Sequence, residues 1–500
     1  MQYHSTRDNS ISVSSAQAIK QGLSTEGGLF VPESFPEVSL DEIGSLAAKS
    51  YQDRADFVLK RFLTDFSNED LRNCISAAYT KEKFGTEAIA PVYKINDSTY
   101  FLELWHGPTC AFKDMALQIL PHFLTTSMRM TNENEEIIIL VATSGDTGKA
   151  ALEGFRDVNG TRIIVFYPDN GVSEIQKLQM VTQRGDNVSV AAVKGNFDDA
   201  QNGVKKIFTD NDYKKLLDRN GFKLSSANSI NWGRLVPQIV YYFSAYADLL
   251  AAKEIELGDE INVVVPTGNF GNILASYYAK KMGLPIKKFI CASNENNVLT
   301  DFIKTGVYDK NRRFHTTISP SMDILISSNL ERFIYDISGC NDEIVTDLMT
   351  KLASDGIYTV PDDIKAKIEE LFDAGCCDDK ETMATIKKTF NADGYLMDTH
   401  TAVAKCVYDK YVERTGDMTK TVIASTASPF KFNQSVLIAL EDYNAVAGKN
   451  EFELLAMLEE KSGMRVPVSL AELKERTPIF DTVVEKEQMK NTVSDFLKVE

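Results

Sequence analysis

The feature that most restricts how this 500-residue chain can fold is an alternation, from residue 136 onward, of short apolar runs rich in β-formers with segments of helical spacing. Residues 137–142, 163–167 and 188–193 are near-continuous apolar runs, and helical patterns follow at 148–155, 173–184 and 197–209. Runs that are apolar on both faces and joined by helix-length connections predict parallel sheets covered on both sides. A second series comprises an amphipathic stretch at 232–252, a strand at 261–266, a helix at 272–282 and a strand at 287–293, with a strand at 421–425 returning to the same sheet. The expected class is therefore α/β, doubly wound, with two parallel-sheet lobes.

The remaining boundaries follow from where this alternation stops. Residues 1–90 read as a small, mainly helical N-terminal domain. A large domain is expected from 91–135 and 225–440, with a charged, helical insertion at about 300–395 that carries no chemical motif. Residues 136–224 form a small lobe, and 441–500 a C-terminal packing segment with a helix at 485–497. A hairpin is expected where 91–95 and the strand leading to Trp105 flank Asn96-Asp97-Ser98.

Composition excludes several functions. A formal charge of -17 argues against nucleic acid, whose partners usually present a basic face. No apolar run approaches the ~18 residues of a membrane span, and the polar first residues lack an apolar signal core, so a cytoplasmic address is expected. The seven cysteines contain no Cys-x-x-Cys pair and read as reduced thiols, and the five histidines show no metal-ligand spacing, so no metal is expected.

Four stretches carry chemistry. In Trp105-His106-Gly107-Pro108-Thr109-Cys110-Ala111-Phe112-Lys113-Asp114, Lys113 stands between a β-rich run and an apolar helical pattern. The positive end of a helix dipole and partial burial lower an ammonium pKa toward a reactive amine. In Thr143-Ser144-Gly145-Asp146-Thr147-Gly148-Lys149 a strand breaks into a hydroxyl-rich turn before a helix, which suits a carboxylate or phosphate. It is not a P-loop, because Thr143 and Ala150 stand where that motif needs glycine and a hydroxyl. In Gly268-Asn269-Phe270-Gly271-Asn272 a glycine turn opens a helix, with side chains removed where a phosphate must approach, and without the dinucleotide-binding spacing. Finally, Asn228, Ser229, Asn231 and Arg234 crowd the start of an apolar helix and read as a second anion site centred on the guanidinium.

A lysine at a strand-to-helix turn, one glycine cradle for a phosphate and a separate anion turn together describe a pyridoxal-phosphate site. The chain resembles the threonine synthase family, in the longer form of fungi and many bacteria. The resemblance runs essentially end to end, through Tyr3-x-Ser5-Thr6-Arg7, Gly22-Leu23-x-x-Glu26-Gly27-Gly28-Leu29-Phe30-Val31-Pro32, His106-Gly107-Pro108-Thr109-x-Ala111-Phe112-Lys113-Asp114, Thr143-Ser144-Gly145-Asp146-Thr147-Gly148, Asn228-Ser229-Ile230-Asn231 and Gly268-Asn269-Phe270-Gly271-Asn272. It implies fold-type II architecture, with Lys113 as the Schiff-base lysine and Gly268, Asn269, Phe270, Gly271 and Asn272 around the phosphate of pyridoxal 5'-phosphate. It also implies Thr426 at the pyridine nitrogen and Asp146 on the 3-hydroxyl side. Ser144 and Thr147 fall to the amino-acid carboxylate. Ser428 departs from the pattern, since many members have histidine there. The implied reaction converts O-phospho-L-homoserine and water to L-threonine and phosphate, with Arg234, Asn228, Ser229 and Asn231 on the leaving phosphate, helped by Lys149. A monomer or homodimer is expected, with no nucleic-acid or membrane partner. Two readings stay open beside this one: another lyase or dehydratase on the same fold, and a non-catalytic phospholigand-binding protein that has kept it.

Overall fold

The structure, a computed structural model, describes residues 1–143, 145–169 and 172–499. The expected site residue Ser144 lies outside the described residues. The chain opens with strands β1 (Tyr3–Ser5), β2 (Asp8–Val13) and β3 (Phe30–Pro32), which make an antiparallel sheet in the order β2-β1-β3. The sequence reading had only helices and a glycine turn here, because three-residue strands are too short to show an alternation. Helices Tyr51–Phe62 and Asn68–Ala78 follow, and their apolar faces join the main core.

The hairpin appears as β4 (Val92–Lys94) and β5 (Thr99–Glu103), paired antiparallel. The small sheet is built from β6 (Glu136–Ala142), β7 (Thr161–Pro168), β8 (Val188–Lys194) and β9 (Phe222–Ser225). The large sheet adds β10 (Ile261–Pro266) and β11 (Ile286–Ser293) to the hairpin. Between 300 and 395 the chain forms an antiparallel pair, β12 (Val307–Asp309) and β13 (Ile357–Thr359), and then β14 (Phe372–Cys376), before β15 (Thr421–Ser425) and β16 (Val483–Glu485). The large sheet runs β14-β11-β10-β15-β5-β4 and is parallel except at β4. The small sheet runs β16-β8-β7-β6-β9 and is parallel throughout.

Both sheets bury two faces, which explains their continuous apolar runs. Val263 and Val265 enter one core cluster while Val264 enters another, and Ile137, Ile139 and Val141 part from Ile138 and Leu140 in the same way. Each such side chain contributes about 1.5–3 kcal/mol of transfer free energy. The helix Trp232–Ala251 is buried almost all round and lies in the cluster that the two sheets share.

Two segments differ from the sequence reading. The 300–395 stretch supplies β14, the edge of the large sheet, and its loops wall the site described below. Its Asp373 and Gly375 hide the strand pattern, and pairing with β11 decides it. The C-terminal segment divides its packing: β16 extends the small sheet beside β8, and the helix Met489–Leu497 covers that sheet's outer face. Among the described residues no helix is long and apolar enough to cross a membrane.

Candidate functional site

The site begins where β5 ends. Leu104 N–H donates to the carbonyl of Ser425 at 2.9 Å, and Trp105 Nε1 donates to Ser425 Oγ at 3.0 Å, fixing the turn against the end of β15. Gly107 is required, because a Cβ there would lie 2.5 Å from the Asp114 carboxylate. That carboxylate accepts Thr109 N–H at 2.8 Å and Thr109 Oγ1 at 2.7 Å. Phe112 N–H donates to the Thr426 carbonyl at 2.8 Å and Ser428 N–H to the Cys110 carbonyl at 3.0 Å, so the lysine turn and the Thr426 turn are laced together.

Lys113 is the N-cap of a short helix, Asp114–Leu117. Its Nζ lies 3.5 Å from Ser321 Oγ and 3.8 Å from Asp146 Oδ2. Burial pulls its ammonium below the ordinary lysine value. Asp146 opposes that shift, while Lys431 and Arg234 reinforce it. The side chain is 12% exposed, so an amine here is sheltered but reachable.

Across from it stands Asp146, the first residue of the helix Asp146–Phe155. Its Oδ1 lies 2.9 Å from Lys431 Nζ and accepts Gln176 Nε2 at 3.0 Å, and its Oδ2 accepts Ser321 Oγ at 3.3 Å. Burial alone would raise this carboxyl, but Lys431, Lys113 and the hydrogen bonds hold it well below the usual carboxylate range. The turn before it is tied by Thr143 Oγ1, which accepts both Gly145 N–H and Gly148 N–H at 3.0 Å. Thr147 is half-buried at the head of this helix.

Lys431 and Ser321 escaped the sequence reading. Lys431 lies fully buried in the short turn Pro429–Phe432, and its Nζ also donates to the Thr109 carbonyl at 2.8 Å. The one local signal is a lysine set between Phe430 and Phe432. Ser321 is held from below: its N–H donates to His400 Nε2 at 3.1 Å, and His400 Nδ1 lies 2.7 Å from Asp398 Oδ2.

The glycine loop stands at the end of β10. Phe270 takes a left-handed backbone at φ 59°, held by its buried ring against Phe333 and Phe372. The carbonyls of Gly268 and Asn269 point at Ser327 Oγ (2.7 Å) and Asn329 Nδ2 (3.1 Å). The first N–H groups of the helix Gly271–Lys281 have no intrahelical acceptor and face an anion in such an arrangement. Asn272 Oδ1 accepts from Tyr241 (2.8 Å) and Tyr242, and its buried Nδ2 has no protein partner.

The third cluster is less convergent than its residue types suggested. Asn231 is partly engaged within the protein: its Oδ1 accepts Gly233 N–H at 2.8 Å as the cap of the long helix, and its Nδ2 donates one N–H to the Ile19 carbonyl at 2.9 Å. The buried ammonium of Lys149 is likewise engaged by Glu153 at 3.1 Å and by Gln183. Asn228 is exposed and Ser229 half-buried. Arg234 is different. Its Nη1 donates to the Ala227 carbonyl at 2.5 Å, its buried Nε has no protein partner, and burial lowers its pKa to about 10. A buried cation left without a carboxylate is costly and is suited to an incoming anion.

These groups fit a phosphorylated pyridine aldehyde. A weakened lysine meets Ser321, whose carbonyl lies against the Gly268 loop, the amide Nδ2 of Asn272 and the hydroxyl of Ser428 are buried without a protein partner, and Thr426 is buried beside the lysine turn.

Comparisons with known proteins agree. Residues 2–79 match the family described as Threonine synthase N terminus, and residues 87–426 match Pyridoxal-phosphate dependent enzyme. The chain is 38% identical to Threonine synthase of Pseudomonas aeruginosa, over 87% of this chain and 90% of that one. It is 43% identical to human Threonine synthase-like 1 over 85% of this chain, but that match spans only 58% of the human protein's length. Among solved structures, the pyridoxal-phosphate-bound threonine synthase of Brucella melitensis superposes with a TM-score of 0.87 at 35% identity, covering 100% of this chain and 99% of the other. Yeast threonine synthase superposes with a TM-score of 0.88 at 33% identity, covering 99% of each chain. The chain belongs to the threonine synthase family of pyridoxal-phosphate dependent enzymes.

Proposed function

We propose that this protein is a threonine synthase, converting O-phospho-L-homoserine and water to L-threonine and phosphate. The observation that carries the reading is Arg234: a buried guanidinium whose Nε has no protein partner and whose charge is felt at Lys113. One cofactor with one phosphate needs one such anion site, and a phosphorylated substrate accounts for the second.

The residues divide the work as follows. Lys113 would hold the cofactor through its aldehyde, Gly268, Asn269, Phe270, Gly271 and Asn272 would hold its phosphate, and Thr426 would serve its ring nitrogen. The bound cofactor supplies an electron sink that stabilises negative charge at substrate carbons. As a free amine, Lys113 would move protons at the substrate Cα and Cβ, a task that needs the neutral form, and burial with the Lys431 and Arg234 charges favours that form. Arg234, with Ser229, takes the phosphate leaving Cγ, where a fixed charge in a water-poor site is worth most. Thr147 serves the substrate carboxylate. Asp146, bridged to Lys431, joins the two lobes over the reacting atoms and keeps Lys113 in place.

A second reading has an observation behind it. Identity to human Threonine synthase-like 1 (43%) exceeds that to the bacterial threonine synthase (38%), so the reading of a protein that keeps the fold and binds a phosphorylated ligand without turning it over stays beside the first. One paired assay separates the readings: phosphate release from phosphohomoserine, against ammonia release from serine and threonine. Phosphate release alone supports threonine synthase, ammonia release points to a dehydratase, and neither, with phosphohomoserine still bound, points to the binding protein.

A further inference from the structure

Away from the cleft, two thiols face each other under the surface. Cys377 follows β14 directly, and Asp378 then caps the helix Asp379–Asp393. Cys406 projects from the neighbouring helix Thr399–Thr415. Both are buried free cysteines, and their sulfurs, together with a Glu381 carboxylate oxygen, lie within 4.8 Å of one another. The lid over them is an exposed ion pair: Lys410 Nζ lies 2.7 Å from Glu381 Oε2 and donates to the Cys376 carbonyl at 3.0 Å.

We propose that Cys377 and Cys406 form an oxidation site of this protein, closed reversibly to a disulfide by a hydroperoxide. The surroundings distinguish the two sulfurs. Cys377 can donate its S–H to the Asp378 carbonyl at 3.5 Å, and lies 3.3 Å from Thr382 Oγ1, whose own proton goes to that same carbonyl. Cys406 stands one turn before Lys410 on the same helix, beside an ammonium that favours a thiolate, whereas the S–H of Cys377 is engaged by the Asp378 carbonyl. This arrangement makes Cys406 the attacking thiolate and Cys377 the resolving thiol.

In the first step the Cys406 sulfur bonds to one peroxide oxygen, the O–O bond breaks, and the other oxygen leaves as water after taking a proton. The Cys377 sulfur then attacks the resulting sulfenic acid, the S–O bond breaks, and hydroxide leaves as a second water with the proton from Cys377. Two thiols and one hydrogen peroxide give one disulfide and two waters. A metal fits less well, because the cluster offers three ligands and its carboxylate already faces an ammonium.

The remaining cysteines make the site specific. Cys376, the last residue of β14, is half-buried, and its sulfur is not part of the Cys377–Glu381–Cys406 cluster, while Cys340 is exposed elsewhere on the molecule. The experiment treats the cofactor-loaded full chain with one equivalent of hydrogen peroxide, alkylates the remaining thiols and maps peptides by mass spectrometry. The expected major product is a Cys377–Cys406 cross-linked peptide, two hydrogens lighter and released by dithiothreitol. Cys376→Ser should leave it unchanged, while Cys377→Ser should stop at a sulfenic acid on Cys406 that a cyclic 1,3-diketone traps. The proposal is overturned if both thiols still alkylate fully after peroxide, or if the cross-link uses Cys376 or Cys340. Cys406 running on to sulfinic acid in the wild-type chain, or a zinc ion held one to one by the pair so that peroxide no longer reaches it, overturns it equally.

Discussion

Asp146 Oδ1 lies 2.9 Å from Lys431 Nζ, an ion pair with side chains 4% and 0% exposed that joins the first helix of the small sheet to the turn after β15 in the large one. Because Lys113 and Ser321 also reach this carboxylate, one acid connects both lobes to the reactive lysine.

Removing Asp146 leaves Lys431 with only the Thr109 carbonyl, and removing Lys431 leaves Asp146 with Lys113, Gln176 and Ser321, so the first loss should approach that of a buried unpaired charge, about 3–5 kcal/mol, and the second should be smaller. Asp146→Asn and Lys431→Met should each lower the urea midpoint of the cofactor-free protein. The double variant should recover part of the loss, with about 1–3 kcal/mol of coupling in a double-mutant cycle; strictly additive losses would show the pair to be inert. The Asp146 carboxyl is lowered on folding, so its stabilisation is present above the unfolded value, about pH 4, and is lost as the pH falls through the lower folded value. The gap between wild type and Asp146→Asn should therefore stay level across neutral pH and close only in acid.

Arg234→Lys keeps the charge and loses the planar fork. It should lower kcat/KM for phosphohomoserine by roughly 30 to 1000 fold, equivalent to about 2–4 kcal/mol of transition-state stabilisation. Bound pyridoxal phosphate should stay near the wild-type level, measured by absorbance after alkaline release. Loss of cofactor instead would move the guanidinium to the cofactor phosphate.

Lys113→Met should abolish covalent cofactor attachment, read by borohydride reduction and peptide mapping; a tag on another lysine would refute the assignment. The same variant has an opposite effect on the cofactor-free fold. The Lys113 ammonium is disfavoured on folding, a penalty present at neutral pH that vanishes as the pH rises through the unfolded value of about 10.4. Lys113→Met should accordingly raise the thermal midpoint of the cofactor-free protein at pH 7, and the gain should shrink at pH 11.

A Cβ at Gly268 would come 2.9 Å from the Ser321 carbonyl, in the loop that must also admit a phosphate. Gly268→Ala should cost about 1–3 kcal/mol through overpacking and raise the dissociation constant of the cofactor, measured by fluorescence titration of the cofactor-free protein. An unchanged dissociation constant would place the phosphate elsewhere.

Local physics made much of this protein legible without coordinates. A strand buried on both faces must be apolar throughout, so β6, β7, β8 and β10 stand out as runs. The Lys113 turn and the Gly268 loop are legible because a glycine beside a helix start has a short-range cause. The tertiary structure decided what depends on distant partners. Asn231 reads as an anion donor, and one N–H of its amide goes to the Ile19 carbonyl, 212 residues away in sequence. The Lys149 ammonium is likewise engaged by Gln183 and Glu153. Lys431 carries no motif of its own, and it becomes a site residue because β15 delivers it beneath Thr109 and opposite Asp146. β14 and β16 are strands only because β11 and β8 offer open edges. A side chain's chemistry is written in the chain, but whether its hydrogen-bonding groups remain free for a ligand is set by contacts whose sequence separation no local pattern records.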